Sequence, residues 1–150
     1  MLAQTFLSAA LSFVALASAA PWGSEYYGPK THLVAVGENG LTYTPNFVNA
    51  DVGDLVKFEF HPMNHTVTQS SFDYPCTAID GGIDSDFNPV PAGSYDFKTF
   101  EITVQVKTPL WFYCRQDHHC QQGMGFGINP PPKGNTIDAF IAKAKASAKK

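Results

Sequence analysis

The stretch FYCRQDHHCQQGMGFGIN, residues 112–129, holds the densest chemistry in the chain. Two cysteines, two histidines and a methionine fall within eleven positions, Cys114 to Met124. A thiolate, an imidazole and a thioether at the spacing C-x4-H-x4-M, taking Cys114, His119 and Met124, suit a soft or borderline metal such as copper. Cys114 and His119 would also serve a cysteine hydrolase as nucleophile and base. No orienting group accompanies them, and a methionine stands behind, so metal binding is the better fit.

A copper site of two imidazoles, one thiolate and a weak axial thioether needs a second histidine from elsewhere. His65 opens the β-branched run HTVTQS, just after a turn containing Pro62 and Asn64. The expected metal ligands are therefore His65, Cys114, His119 and Met124. One ligand at an upstream strand-loop junction and three on a loop between the last two strands would be held at fixed separations by the strand ends. His118 is expected to be a solvent-facing neighbour, His61 to end a strand near solvent, and His32 to be a strand residue far from the motif. Filling a core is the commoner use of methionine, but the position of Met124 behind His119 and ahead of a strand favours ligation. Asn64-His65-Thr66 is formally a glycosylation sequon. Beside a buried ligand, Asn64 is expected instead to steady the site with its amide or backbone. Asp80, Asp84 and Asp86 lack the spacing and closing Glu of a calcium loop and read as solvated loop charge.

The elements around these residues are short strands. THLVAVG (31–37) is β-rich and stops at ENG. LTYTPNFVNA (41–50) alternates, with Pro45 marking an edge or a break. DLVKFEFH (54–61) sets Val56, Phe58 and Phe60 against Leu55, Lys57 and Glu59, a half-buried strand. HTVTQS (65–70), TFEITVQVKT (99–108), PLWFYC (109–114) and MGFGIN (124–129) continue the series. Residues 73–95, rich in Gly, Pro, Asp and Ser, read as a long loop region. Trp111, Phe112 and Tyr113 are expected in the core and the wall of the site. Short strands separated by turn signals indicate an antiparallel sandwich or barrel.

The termini differ from this body. Residues 1–19 read as a secretory signal peptide: they carry no charged side chain, have an apolar centre and end in Ala17-Ser18-Ala19. The expected domain spans 20–132 and closes at Pro130–Pro132. In the tail, 133–150, Ile137, Phe140 and Ile141 share a helical face that Asn135 or Thr136 could cap, ahead of a disordered Ala/Lys end. Beyond that leader no segment approaches the apolar length of a membrane span, and no apolar tail suggests a lipid anchor. Five Lys and one Asp lie from Lys133 onward, so the overall charge of −3 combines a basic tail with an acidic body. No basic stripe crosses that body, which argues against nucleic acid. A secreted chain meets oxidising conditions, and its three cysteines leave one unpaired. Three pairings are open: Cys76–Cys120, Cys114–Cys120 or Cys76–Cys114. Only the first leaves the odd cysteine with a chemical role.

The run YCRQDHHCQQGMGFGIN, with HTVTQSSFDYPC before it, resembles the cupredoxins. More narrowly it is similar to phytocyanin-like cupredoxins and to small secreted fungal proteins that carry such a domain. The resemblance covers roughly residues 31–130. It implies an all-β Greek-key sandwich, with the short helical or disordered C-terminal tail beyond it. It also implies one type 1 copper ion held equatorially by His65, Cys114 and His119 and axially by Met124, and a Cys76–Cys120 disulfide. The doubled histidine departs from the pattern, and the adjacent Cys120 favours His119. The expected function is a secreted, monomeric, non-enzymatic electron carrier cycling Cu(I)/Cu(II), with an unknown redox partner or extracellular surface as its target. The alternative is a copper-binding, cell-wall or host-interaction protein on the same scaffold.

Overall fold

The computed structural model describes residues 28–147. The expected signal peptide, residues 1–19, and residues 148–150 lie outside the described residues; of the Ala/Lys end expected to be disordered, 142–146 are helical.

Alternation decides which strands form and how they face. In DLVKFEFH, β4 (Leu55–Phe60), Val56, Phe58 and Phe60 are fully buried and the intervening residues only half-buried. β4 is central to a four-stranded sheet in the order β2-β1-β4-β8. Its neighbours are β1 (Thr31–Val36), running parallel to it, and β8 (Thr99–Thr103), antiparallel. β2 (Tyr43–Thr44) borders β1. Pro45 then breaks the run as expected: β3 (Phe47–Val48) lies in the other sheet, with a cis Thr44–Pro45 peptide between them. That second four-stranded sheet has the order β3-β10-β9-β6, with β6 (Thr68–Ser70), β9 (Leu110–Tyr113) and β10 (Gly125–Ile128).

The two sheets bury one apolar core. Phe58 meets Phe126 edge-on at 5.2 Å between ring centroids, and Tyr43, Phe112, Val34, Val56 and Ile128 pack around them. The protein is thus the all-β sandwich expected, with one short C-terminal helix, but it is not purely antiparallel: β1 runs parallel to β4, and β3 runs parallel to β10.

HTVTQS is not one strand. β5 (Met63–His65) leaves the sandwich to pair with β7 (Asn88–Val90) as a separate two-stranded ribbon, and β6 resumes in the second sheet. β7 lies inside the stretch expected to be loop. At three residues with Pro89 in the middle, it has no alternation to betray it.

The helix α1 (Ile137–Ala146) is capped by Thr136, whose hydroxyl accepts from the Ala139 amide at 3.1 Å. It lies past the expected boundary at residue 132, yet it packs on the second sheet. Phe140 stacks on Trp111 at 4.9 Å, with Phe72 alongside. That cover explains why all four residues of β10 are buried. Phe126 and Ile128 face the core, while Gly125 and Gly127 lie beneath the helix. A Cβ on Gly125 would come within 2.9 Å of the Phe140 ring.

Candidate metal centre

β9 and β10 form a hairpin whose connection is the CRQDHHCQQGM loop. β9 delivers Cys114 at its end, and β10 begins directly after Met124. The loop folds back on its own backbone. The His119 amide donates to Gln116 O at 3.0 Å, the Met124 amide to His119 O at 3.0 Å, and the Cys114 amide to Met124 O at 3.2 Å. Gly123, at φ +104°, makes the last turn in a conformation that side chains rarely adopt.

His65, Cys114 and His119 converge from this loop and the end of β5, with their donor atoms within 4.8 Å of one another and all three residues buried. Cys114 Sγ lies 3.4 Å from His119 Nδ1 and 3.9 Å from His65 Nδ1. The two imidazole centroids are 5.2 Å apart. Met124 is fully buried in the same core as Cys114, its backbone bonded to both Cys114 and His119.

A chemical fit test favours a metal here. Two neutral nitrogens and one sulfur crowd together with little to bond. His65 Nε2 is buried without a hydrogen-bond partner among the described residues. Its edge lies against Gly37, where an added Cβ would overlap Nε2 and come within 2.7 Å of Cδ2. The ring is therefore wedged with Nδ1 toward the thiol. Sγ accepts from the Thr66 amide at 3.4 Å. A soft cation coordinated by Sγ and both Nδ1 atoms suits this donor set.

Burial sets the protonation of the three groups. It pushes the His65 pKa down to about 4, with His119 beside it adding to the shift. It lowers that of His119, against a smaller opposing effect of Asp117. It raises that of the Cys114 thiol, although bonds from the Gln116 and Thr66 backbones pull the other way. The two imidazoles are thus neutral at pH 7, the form in which nitrogen ligates.

The surrounding residues sort by position. His118 is exposed where His119 is buried. His61 is not near solvent as expected: it is buried, its ring tilted against Phe97 at 4.2 Å and 3.2 Å from Glu59. His32 bonds Asp54 at 2.9 Å, apart from the cluster. The Asn64 amide donates to Gln116 Oε1 at 2.9 Å, tying β5 to the ligand loop. Of the three acidic loop residues, Asp84 and Asp86 are not free charges but grip Arg115 at 3.2 and 2.9 Å. Cys76 and Cys120 are joined, S–S 2.04 Å, and Cys114 is free. The bridge ties the 73–95 segment to the residue after His119. Sequence reading missed Gly37 and Arg115; the turn ENG directly after one and the position of the other directly after Cys114 were the available signals.

No family model matches the sequence. The chain is 39% identical over 112 residues to a probable GPI-anchored cupredoxin-1 of Arthroderma benhamiae, covering 74% of this chain and 57% of that protein. It is 34% identical over 137 residues to an extracellular serine-rich protein of the same organism, covering 90% and 50%. The chain thus spans about half the length of these curated relatives. The purple cupredoxin of Nitrosopumilus maritimus matches with a TM-score of 0.50 at 12% identity, over 65% of this chain and 96% of that one, a likeness of fold alone. With the sandwich and the buried His65–Cys114–His119 cluster already in view, the similarity is direct: over the 112 residues matched to the first relative, the chain carries a cupredoxin domain.

Proposed function

We propose that the protein is a type 1 copper protein and a one-electron carrier. His65, Cys114 and His119 would hold one copper ion, with Met124 as a weak further donor. The observation that carries this reading is the buried convergence of one free thiol and two imidazoles, with donor atoms within 4.8 Å of one another. Bound copper would supply the Cu(I)/Cu(II) couple. The protein's part is to keep water out and the donors still. The loop's own hydrogen bonds, the Gly37 wedge and the Cys76–Cys120 bridge support such rigidity. A frame that does not move between oxidation states favours fast exchange.

The names of the two relatives, one GPI-anchored and one extracellular, support a place outside the cell or at its surface. The leader-like residues 1–19 agree with secretion. Those same names favour a second reading, a copper-binding cell-surface protein without an electron-transfer role. Among the described residues no helix is long and apolar enough to cross a membrane.

The test is stoichiometric addition of Cu(II) to the purified protein. An intense blue thiolate-to-copper band, followed by reversible one-electron voltammetry, is the expected outcome. Pale absorption would refute the type 1 assignment. A blue protein that exchanges electrons slowly would favour the second reading.

A further inference from the structure

A line of buried hydroxyls leads from the metal cluster to an acidic pair at the surface. The Thr66 amide donates to Cys114 Sγ at 3.4 Å. The Thr66 hydroxyl oxygen accepts from the Arg115 amide at 3.0 Å and lies 2.8 Å from the Thr68 hydroxyl. The Thr68 hydroxyl lies 3.2 Å from Asp84 Oδ1. The direction of these bonds follows from the end group. A carboxylate only accepts, so Thr68 donates to Asp84, and Thr66 must then donate to Thr68. Both threonines are buried, at 0% and 1% exposure, so nothing in solvent competes for these protons. The backbone holds the far end in register: Thr68 bridges Asp84, the Gln69 amide donates to Ile83 O at 2.8 Å, and the Ser85 amide donates to Val67 O at 3.0 Å. Arg115, one residue beyond Cys114, closes the loop by pairing with Asp84 and Asp86 while lying over the Phe87 ring at 4.5 Å.

We propose that Asp84 is a positioning residue for the copper thiolate, acting through the oriented Thr68–Thr66 hydroxyl pair. The inference rests on the copper reading above. Asp86 is far more exposed than Asp84, and its charge is screened by water and salt. Asp84 is connected to the site through a dry path, where aligned hydrogen bonds polarise one another. Each hydroxyl points its proton away from the cluster: the Thr66 oxygen turns its lone pairs to the Arg115 amide, and the Thr68 oxygen turns its lone pairs to the Thr66 hydroxyl. The carboxylate fixes that orientation and biases the thiolate toward Cu(II).

Asp84→Asn leaves an oxygen for Thr68 and removes the charge. It is expected to favour Cu(I) by up to about tenfold, a rise of up to about 59 mV for one electron. A through-space charge effect would give the same sign, so the deciding measurement is a double-mutant cycle with Thr68→Val. Through the hydroxyl path, the Asp84→Asn shift falls by at least half in the Thr68→Val background, and Thr68→Ser restores it. An additive cycle overturns the proposal. A second readout needs no copper: in the metal-free protein, exchange of the Arg115 amide should quicken about fivefold in Thr68→Val, the loss of part of one hydrogen bond, and return with Thr68→Ser. Unchanged exchange also overturns it. The two hypotheses fail separately. A wild-type protein that never turns blue sinks the copper reading and leaves the exchange test standing, whereas a blue protein with an additive cycle sinks only the role of Asp84.

Discussion

The second sheet has two ends with opposite economies. At the helix-covered face, Trp111, Phe140, Phe72 and Ile137 meet as apolar surfaces, and glycines alternate along β10 so that the helix can approach. At the loop end, two imidazoles and a thiol are buried with few hydrogen bonds, the sulfur held by backbone amides and His65 Nε2 without a partner among the described residues. Burial stabilises the first region and penalises the second, because polar atoms lose water there without regaining bonds. Cys120 sits at the seam, packed with Ala144 of the helix and adjacent to His119. Stability and chemistry are therefore assigned to neighbouring segments of one hairpin, and substitutions should separate them.

The largest separation is expected at Cys114. Cys114→Ser should remove the blue band entirely, since the thiolate is its source, while the metal-free protein unfolds within about 1 kcal/mol of wild type, the ordinary size of a single substitution. Visible spectroscopy with copper and denaturant unfolding without it check the two halves. A serine variant that stayed blue would show that Cys114 is no ligand.

Phe140→Ala should do the reverse. Its ring is fully buried and stacked on Trp111. Truncating such a ring costs about 3–5 kcal/mol through lost transfer energy and the cavity left behind. The position of the blue band should hold, because the loop's hydrogen bonds to His119 and Met124 do not involve the helix. A band that moved with the helix contact would erase the distinction between the two regions.

A third substitution tests the far end of the first sheet, where polar burial is satisfied rather than left open. Asp54 accepts from the Lys30 amide at 2.8 Å, the Asp51 amide at 3.0 Å and His32 at 2.9 Å. The His32 bond first, then the two amides, hold its carboxyl well below the ordinary carboxylate range. Below about pH 4, where a free carboxylate titrates, the unfolded chain binds a proton that the folded one still refuses. Stability then falls as pH falls, and the contribution is complete above that range. Asp54→Asn should accordingly lower Tm at pH 7, and the gap to wild type should narrow as the pH drops below about 4. A gap of constant width from pH 7 to pH 2 would mean that the ionised carboxylate is not the source.

How much of this was legible in the sequence depends on how local the cause was. The alternation of β4 is a period-two signal carried by six consecutive residues, and it predicts burial correctly at each of them. Thr136 and the Ile137/Phe140/Ile141 face announce α1 within seven residues. The convergence of His65 with Cys114 and His119 was reached from donor chemistry, because few other metals want that set. Causes that act across the fold were silent. β7 exists only because β5 needs a partner. The role of Gly37 is visible only once a ring from residue 65 is packed against it. That the helix covers the second sheet could have been suspected from Gly125 and Gly127, spaced two apart in a strand that otherwise wants side chains.

The smallest effect belongs to the doubled histidine and decides how sharply the loop discriminates. His118 and His119 are adjacent, so a turn that presents one to the interior presents the other to solvent. The backbone makes that choice: the His119 amide donates to Gln116 O at 3.0 Å and its carbonyl receives the Met124 amide at 3.0 Å. Residue 119 is thereby locked between the two halves of the loop, and its Nδ1 is set 3.4 Å from the thiol. His118 lies on the outside of the same turn and is exposed. His118→Ala should leave the blue band and the reduction potential unchanged and move stability by no more than about 0.5 kcal/mol, whereas His119→Ala should bleach the site. If the His118 variant bleached and the His119 variant stayed blue, the turn would have to present the opposite residue to the interior, and with it the bonding of the loop to Gln116 and Met124 would be wrong.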